Sequence, residues 1–241
     1  MNKNTIVKKT LDYAKQKLSG EGTGHDFWHV YRVWKMAIYL AKKEKADLFV
    51  VQLAALLHDI ADWKFNDSEK EGSALSRKWL QVLKVDEAII IKVCGIIDGV
   101  SFKGAGVTNK IKSVEGKVVQ DADRLDALGA IGIARTFAYG GYKQREIHNP
   151  TIKPKLHKTF SSYKKSQSTS LNHFYEKLLL LKNLMNTKTA KEIAQHRHEF
   201  MEQYLREFYQ EWEAKNNYKI TSKSLNKVRK QSLQASIAPQ Y

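Results

Sequence analysis

The sequence predicts an all-α protein built as a single helical domain, and three observations favour this class. The chain has 3 prolines and its first 149 residues contain none, so little interrupts a helical backbone. Apolar residues recur at spacings of three and four, the period of an amphipathic helix, while the alternation typical of strands is hard to find. A length of 241 residues also fits one substantial core better than several small domains.

The first half of the chain is predicted to form a series of helices. An apolar helical stripe comes first and should end in the glycine-rich loop 19–24; it consists of Ile6, Val7, Leu11, Ala14 and Leu18. Further helices are predicted at residues 25–45, 48–61, 68–83 and 86–97. Asp47, Ser68 and Asp86 stand at capping positions of these helices. The segment 48–61 is apolar almost all round, which is typical of a central, buried helix.

The second half is predicted to alternate between loops and helices. The expected elements are a mobile loop at 98–110, one helix at 114–139, a loop-like basic stretch at 143–170, and helices near 171–186 and 189–214. Gly140 and Gly141 are expected to end the helix at 114–139. The predicted domain therefore spans residues 1–214, and residues 215–241 are predicted to form a loosely ordered basic tail.

Positive charge is the strongest compositional feature. The chain carries 41 basic and 25 acidic side chains, a net charge of +16. Two late segments, residues 151–170 and 215–241, hold basic side chains and no carboxylate. Such an excess suggests a nucleic-acid partner or a small polyanion such as a nucleotide phosphate. A solvated flank or tail explains such runs more often than a specific site does.

Cysteine content and hydropathy exclude several classes of protein. Cys94 is the single cysteine, which excludes a disulfide framework and a multi-cysteine metal site. No run approaches the roughly 18 apolar residues that span a bilayer. The polar N-terminus also lacks the apolar core of a signal peptide. We therefore expect a cytoplasmic protein that does not contact membranes.

Two clusters of ionisable residues interrupt apolar helices. His58 and Asp59 lie within the helix predicted to be buried, and Asp121, Asp123 and Asp126 interrupt a second apolar helix. Asp123 and Asp126 are three residues apart and therefore share one helix face. A buried, ionised carboxylate must be paired, hydrogen-bonded or bound to a metal, because its desolvation otherwise costs several kcal/mol.

A third cluster, at residues 25–29, contains two more histidines. His25 and His29 are one turn apart, and Arg32 follows on the same side of the predicted helix. Neutral imidazoles and carboxylates together form the ligand set of Mn²⁺, Fe²⁺, Co²⁺, Ni²⁺ or Zn²⁺, whereas Mg²⁺ tolerates fewer histidines. Three separated clusters of this composition predict a divalent metal site.

Each cluster also has a structural alternative. His58 and Asp59 could form a hydrogen-bonded pair in the core, and His29 could be a surface histidine of an amphipathic helix. Thr23 and Asp26 have the spacing of a capping box at the start of that helix, which gives Asp26 a structural role.

In order along the chain, the clusters resemble the H…HD…D motif of the HD-domain metal-dependent phosphohydrolases. The residues that match the motif are His29, His58, Asp59 and Asp123. The similarity extends to residues 25–33, 58–65 and 172–177 and covers about residues 20–210. It is to a bacterial subfamily whose better-understood activity cleaves nucleoside triphosphates to monophosphate and pyrophosphate. The resemblance implies an all-α fold with one divalent ion held by those four residues.

Within the motif, Asp121 and Asp126 compete with Asp123 for the last position, and the Ala-Asp-Arg-Leu context favours Asp123. The resemblance also suggests that Asp62, one turn after His58, acts on the attacking water or on the leaving group. Asp67 is a second candidate for catalysis. The structural alternatives are that Asp62 pairs with Lys64 at a helix end and that Asp67 helps to start a helix.

Six residues are predicted to bind the substrate: His25, Arg32, Lys64, Asp126, His173 and Lys177. His173 and Lys177 are four residues apart, so one helix would present both to a polyanion. Arg32 suits a phosphate or an aspartate partner equally well. A solvated surface role is the alternative for Lys64, His173 and Lys177.

The predicted chemistry is metal-assisted hydrolysis without a covalent nucleophile. The ion would lower the pKa of its bound water and neutralise charge in the transition state. Mn²⁺ is the favoured ion, with Mg²⁺, Co²⁺, Ni²⁺, Fe²⁺ or Zn²⁺ as alternatives. The expected partner is a nucleotide or another small phosphate substrate; nucleic acid is not favoured, and the protein should be a monomer or a homodimer.

Two other functions stay open. The same site could act as a 5′-nucleotidase, a cyclic-nucleotide phosphodiesterase or an alarmone hydrolase. Alternatively, the chain could be a nucleic-acid-binding or regulatory module with a structural metal.

Overall fold

A computed structural model of the chain describes residues 1–20, 26–60, 71–100, 111–156 and 168–215. These residues form helices joined by turns, and none of them forms a strand, so the predicted all-α class is confirmed. No helix in this part of the chain is long and apolar enough to cross a membrane. Met1–Glu202 form one compact unit, and a second unit begins at Gln203.

The first two helices are fixed by side-chain caps. α1 spans Lys3–Leu18, and the side chain of Asn2 accepts a hydrogen bond at its start. α2 spans Phe27–Glu44, and Asp26 Oδ1 accepts from the backbone N–H of His29 at 2.9 Å. Asp26 is therefore the cap itself rather than the fourth and last residue of a capping box that begins at Thr23, which lies outside the described residues.

α3 spans Leu48–Leu57 and is the central helix, in contact with α1, α2, α5 and α6. This burial confirms the interpretation of its apolar surface. The helix ends at Leu57, however, and not at residue 61 as predicted, so His58 and Asp59 lie in the following turn. The reason is local: His58 Nδ1 bonds to the carbonyl of Ala55, which a continuing helix would pair with the N–H of Asp59.

α4 and α5 pack against each other and span Glu71–Val82 and Glu87–Val100. The prediction of a loop from residue 98 onward is wrong for residues 98–100, which continue α5. Gln120 explains this extension, because its Nε2 donates to the carbonyls of Gly99 and Val100 at 3.2 and 3.4 Å. The rest of the predicted loop, residues 101–110, lies outside the described residues.

α6 and α7 replace the single helix predicted at 114–139; they span Val114–Asp126 and Gly129–Tyr142. The break lies at residues 127–128, and Gly129, the first residue of α7, has a left-handed φ of +73° that is unsuited to other residues. A Cβ at Gly129 would also lie 3.1 Å from Arg197 Cγ. Gly140 and Gly141, predicted to end the helix, lie within α7. Gly140 is needed for packing instead, because a Cβ there would overlap the Ser170 hydroxyl.

The remaining described residues contain short helical turns and one long helix. Residues 143–156 are free of helix, as predicted for this part of the basic stretch, and residues 157–167 lie outside the described residues. The helix predicted near 171–186 appears as a continuous helical run at residues 172–184. The run changes type along its length, with a π-helical turn Phe174–Leu178, an α-helical turn Leu179–Leu181 and a 3₁₀ turn Lys182–Leu184. α8 then spans Lys188–Trp212. Most of the predicted basic tail, residues 216–241, lies outside the described residues, so its boundary stays a prediction.

Candidate metal centre

Four side chains from three elements meet beside the end of α3. α2 supplies His29, the turn after α3 supplies His58 and Asp59, and α6 supplies Asp123. His29 Nε2 lies 3.2 Å from Asp59 Oδ2 and 3.5 Å from Asp123 Oδ1. His58 Nε2 lies 3.6 Å from Asp59 Oδ1 and 3.8 Å from Asp123 Oδ1. The two Nε2 atoms are 3.3 Å apart, so the structure brings all four predicted ligands together.

Both imidazole rings are held so that Nε2 faces this cluster. His29 Nδ1 lies 2.7 Å from Asp126 Oδ2, and His58 Nδ1 lies 2.8 Å from the carbonyl oxygen of Ala55. A carboxylate and a carbonyl only accept hydrogen bonds, so each Nδ1 carries a proton and donates it. In the neutral ring, each Nε2 then carries the lone pair and points it into the cluster, as a metal ligand must.

The spacing and charge of the donors fit a divalent ion. Two ligands ~2.1 Å from one ion lie about 3.0–3.4 Å apart at tetrahedral or octahedral angles. The separations between histidine and carboxylate atoms run from 3.2 to 3.8 Å, close to this range. With both histidines neutral, Asp59 and Asp123 give the cluster two negative charges, which a divalent cation neutralises. The nitrogen and oxygen donors suit the metals of the middle and late first transition row.

Asp126 on α6 holds the far nitrogen of the His29 ring and two arginines. Its Oδ2 accepts the bond from His29 Nδ1, and Arg135 Nη1 donates to the same oxygen at 3.1 Å. Arg32 donates through Nε to Oδ1 at 2.8 Å and through Nη2 to Oδ2 at 3.0 Å. We call these four residues the Asp126 clamp. It fixes the ring orientation and tautomer of one proposed ligand, a common arrangement around metal-binding histidines.

The charges of the clamp oppose the effect of burial. Burial alone raises the pKa of Asp126, but hydrogen bonds from His29 and Arg32 hold that pKa well below its usual range. Burial and the charge of Arg135 lower the pKa of His29. Its hydrogen bonds to Asp126 and Asp59, together with the charge of Asp59, outweigh both, so the pKa of His29 is raised. A proton and a metal ion therefore compete for His29 Nε2.

The other predicted residues have different surroundings. Of the two partners considered for Arg32, the structure pairs it with an aspartate, Asp126. His173 directly precedes the π-helical turn that contains Lys177, and both side chains are partly buried. Four predicted residues lie outside the described part of the chain: His25, Asp62, Lys64 and Asp67.

Asp121, considered for the last motif position, supports a turn. Its Oδ1 accepts from the backbone and side-chain N–H groups of Asn186 at 2.9 and 2.8 Å. Its Oδ2 accepts from the backbone N–H and hydroxyl of Thr187, both at 2.8 Å. Asp121 is fully buried, and these bonds join α6 to the start of α8.

Arg135 is a residue of the site that the sequence motifs do not predict. A weak signal was available, because Arg135 is the single charged residue in the otherwise apolar α7. That signal shows that the side chain needs a partner but does not say which one.

The comparison with protein families agrees with this geometry. The family described as "HD domain" matches residues 27–128, which contain all four residues of the cluster. The chain is 40% identical over 196 residues to the uncharacterized protein YpgQ of Bacillus subtilis, and this match covers 81% of the chain and 88% of YpgQ.

Solved structures show the same similarity. A protein from Lactobacillus plantarum is 40% identical with a TM-score of 0.80, over 89% of this chain and 100% of the other. An HD-superfamily hydrolase from Bacillus thuringiensis is 46% identical with a TM-score of 0.70, over 88% and 100% of the two chains. YpgQ in complex with ADP is 36% identical in the structural alignment with a TM-score of 0.68, over 85% and 97%.

Proposed function

The chain belongs to the HD-domain superfamily of metal-dependent phosphohydrolases, and on this basis we propose that it cleaves nucleoside triphosphates to monophosphates and pyrophosphate. The observation that carries the proposal is the cluster of two imidazoles and two carboxylates, with histidine-to-carboxylate separations of 3.2 to 3.8 Å. The complex of YpgQ with ADP supports a nucleotide as the ligand. The net charge of +16 supports a polyanionic substrate.

The four residues of the cluster would hold the ion, with Mn²⁺ favoured: His29, His58, Asp59 and Asp123. When bound, the ion supplies Lewis acidity to a phosphoryl oxygen and to the attacking water. We propose that Asp62 transfers a proton to or from the reacting oxygens, with Asp67 as the second candidate for this role. Phosphate charge is assigned to the remaining basic residues, His25, Lys64, His173 and Lys177.

The structure changes the roles that we propose for two of the predicted substrate-binding residues, Asp126 and Arg32. The carboxylate oxygens of Asp126 already accept bonds from three side chains, so we propose that Asp126 positions His29 instead of contacting the substrate. Arg32 donates hydrogen bonds from Nε and Nη2 to the same carboxylate. Its remaining nitrogen, Nη1, is the atom that we assign to substrate phosphate.

A nucleotide panel tests the proposed reaction. The panel contains nucleoside and deoxynucleoside triphosphates, monophosphates, a cyclic nucleotide and a guanosine alarmone, each with Mn²⁺, Mg²⁺, Co²⁺ or Ni²⁺. We expect pyrophosphate and monophosphate from the triphosphates, with the highest rate in Mn²⁺. Release of inorganic phosphate from monophosphates would support a 5′-nucleotidase instead. Salt-dependent nucleic-acid binding without turnover would support a binding module.

The role of Asp62 is tested by Asp62→Asn. Asparagine keeps the shape of the side chain but cannot transfer the proton, so kcat should fall by ~10²–10⁴-fold while metal and substrate binding are retained. Steady-state kinetics and a Mn²⁺ titration measure the two properties separately. Loss of metal would make Asp62 a ligand or a support of one, and full activity would favour its structural pairing with Lys64.

A further inference from the structure

A cavity lies between α2, α6, α7 and the part of α8 around Arg197. Its volume is about 310 Å³, at the lower end of the ~300–1,000 Å³ typical of small-molecule sites. Residues of four helices line it, among them Tyr31, Arg32, Lys35, Tyr39, Ile131 and Arg197. None of the four residues of the metal cluster belongs to the described lining. Arg32 and Asp126 of the clamp do line it, so the cavity adjoins the Nδ1 side of His29, whereas the metal cluster lies on the Nε2 side of the ring.

The cavity carries an excess of positive charge. Arg32, Lys35 and Arg197 contribute three cations, and Asp126 is the one carboxylate among the lining residues described. The Asp126 carboxylate is already bonded to Arg32, Arg135 and His29. Arg197 Nη1 donates to the carbonyl of Leu125, and the charge of Asp126 acts on its guanidinium. The lining residues described therefore carry three positive charges against one negative charge, so an anionic group is favoured there.

The walls of the cavity are apolar and aromatic. Tyr31 and Tyr39 lie about two turns apart on α2, and the side chains of Met36 and Ile131 add apolar surface. Tyr31 is held in place by neighbouring rings, with centroids 5.9 Å from Trp28 and 5.7 Å from Trp34. Tyr39 is 47% exposed, so its ring is available to a ligand. A partly buried tyrosine and an exposed one beside cations suit a planar ring that bears a phosphate.

We propose that this cavity binds a small aromatic anion of the nucleoside monophosphate class, at a site separate from the metal centre. Its phosphate would lie against Lys35 and Arg197, and its base would pack on the tyrosine walls. This inference does not depend on the proposed reaction, because the cavity can be tested in protein that lacks a functional metal site.

The test uses adenosine monophosphate and a His58→Ala protein kept free of metal. We expect adenosine monophosphate to bind this protein in calorimetry, and inorganic phosphate or adenosine alone to bind at least ~10-fold more weakly, since each offers half of the contacts. Lys35→Glu in the same background should weaken binding of the nucleotide at least ~10-fold. Tyr39→Ser should weaken binding of the nucleotide but not that of inorganic phosphate.

The matched control is Lys92→Glu, which makes the same charge change at an exposed position on α5. It should leave binding of adenosine monophosphate within about twofold of the His58→Ala protein. Lys35 and Lys92 are both exposed, so circular dichroism should show both variants folded. Absence of binding to the His58→Ala protein, or equal losses in Lys35→Glu and Lys92→Glu, would overturn the proposal.

Discussion

Replacing His58 with alanine should remove both the bound metal and the hydrolytic activity. The substitution deletes one of two imidazole donors, and Asp59 and Asp123 are left with a single histidine between them. Because a bound metal contributes several kcal/mol to stabilising a phosphoryl transition state, we expect turnover to fall by about 10³-fold or more. Metal content after gel filtration and the rate of triphosphate hydrolysis measure the two effects.

The control for this prediction is His198→Ala. His198 is also a buried histidine, but it lies on α8 and pairs with Glu202 at 3.2 Å, outside the metal cluster. It should retain metal and activity even where its melting temperature falls. Added Mn²⁺ should raise the melting temperature of the His198→Ala protein and not that of the His58→Ala protein. Retention of metal by His58→Ala would show that the cluster is not the binding site.

The residues of the cluster could be predicted because their polarity contradicts their surroundings. His58 and Asp59 follow a helix that is apolar on all sides, and Asp123 interrupts another mostly apolar segment. Burial of such groups is costly unless they have partners, so the pattern indicates that they meet something. Sequence spacing did not show that they meet each other, and this step depended on the resemblance to a known family.

The helix ends could not be predicted from local sequence because tertiary contacts set them. α3 ends where His58 takes the carbonyl of Ala55, a bond that positions the ring for the metal. α5 continues to Val100 because Gln120, distant in sequence, bonds to its last carbonyls. A glycine in the sequence does not show by itself where a helix ends. Gly129 follows a break and begins α7 with a left-handed φ, while Gly140 lies inside the same helix.

The same break explains why the Asp126 clamp could not be predicted. In one continuous helix, Asp126 and Arg135 would be two and a half turns apart and would point to opposite sides. The break at residues 127–128 separates α6 from α7, and Arg135 comes within 3.1 Å of the Asp126 carboxylate. Because a single helix was predicted at residues 114–139, the contact between Arg135 and Asp126 could not be predicted.

Replacing Asp126 with asparagine should weaken metal binding without deleting a proposed ligand. The amide keeps the size of the side chain and one acceptor oxygen, but it removes the negative charge that holds His29, Arg32 and Arg135. His29 then becomes a weaker metal ligand, and two partly buried arginines lose their counter-ion. Loss of such an outer partner of a metal-binding histidine lowers metal affinity by ~10–100-fold, which we expect for Mn²⁺ here.

Asp121→Asn separates this effect from simple destabilisation. Asp121 is likewise a buried aspartate of α6, but its four hydrogen bonds go to Asn186 and Thr187 and not to the cluster. Both variants should have lower melting temperatures, because each loses a buried carboxylate that several donors share. A Mn²⁺ titration followed by electron paramagnetic resonance should show reduced affinity for Asp126→Asn alone. Equal Mn²⁺ affinity in the two variants would mean that the clamp stabilises the fold and does not position His29 for the metal.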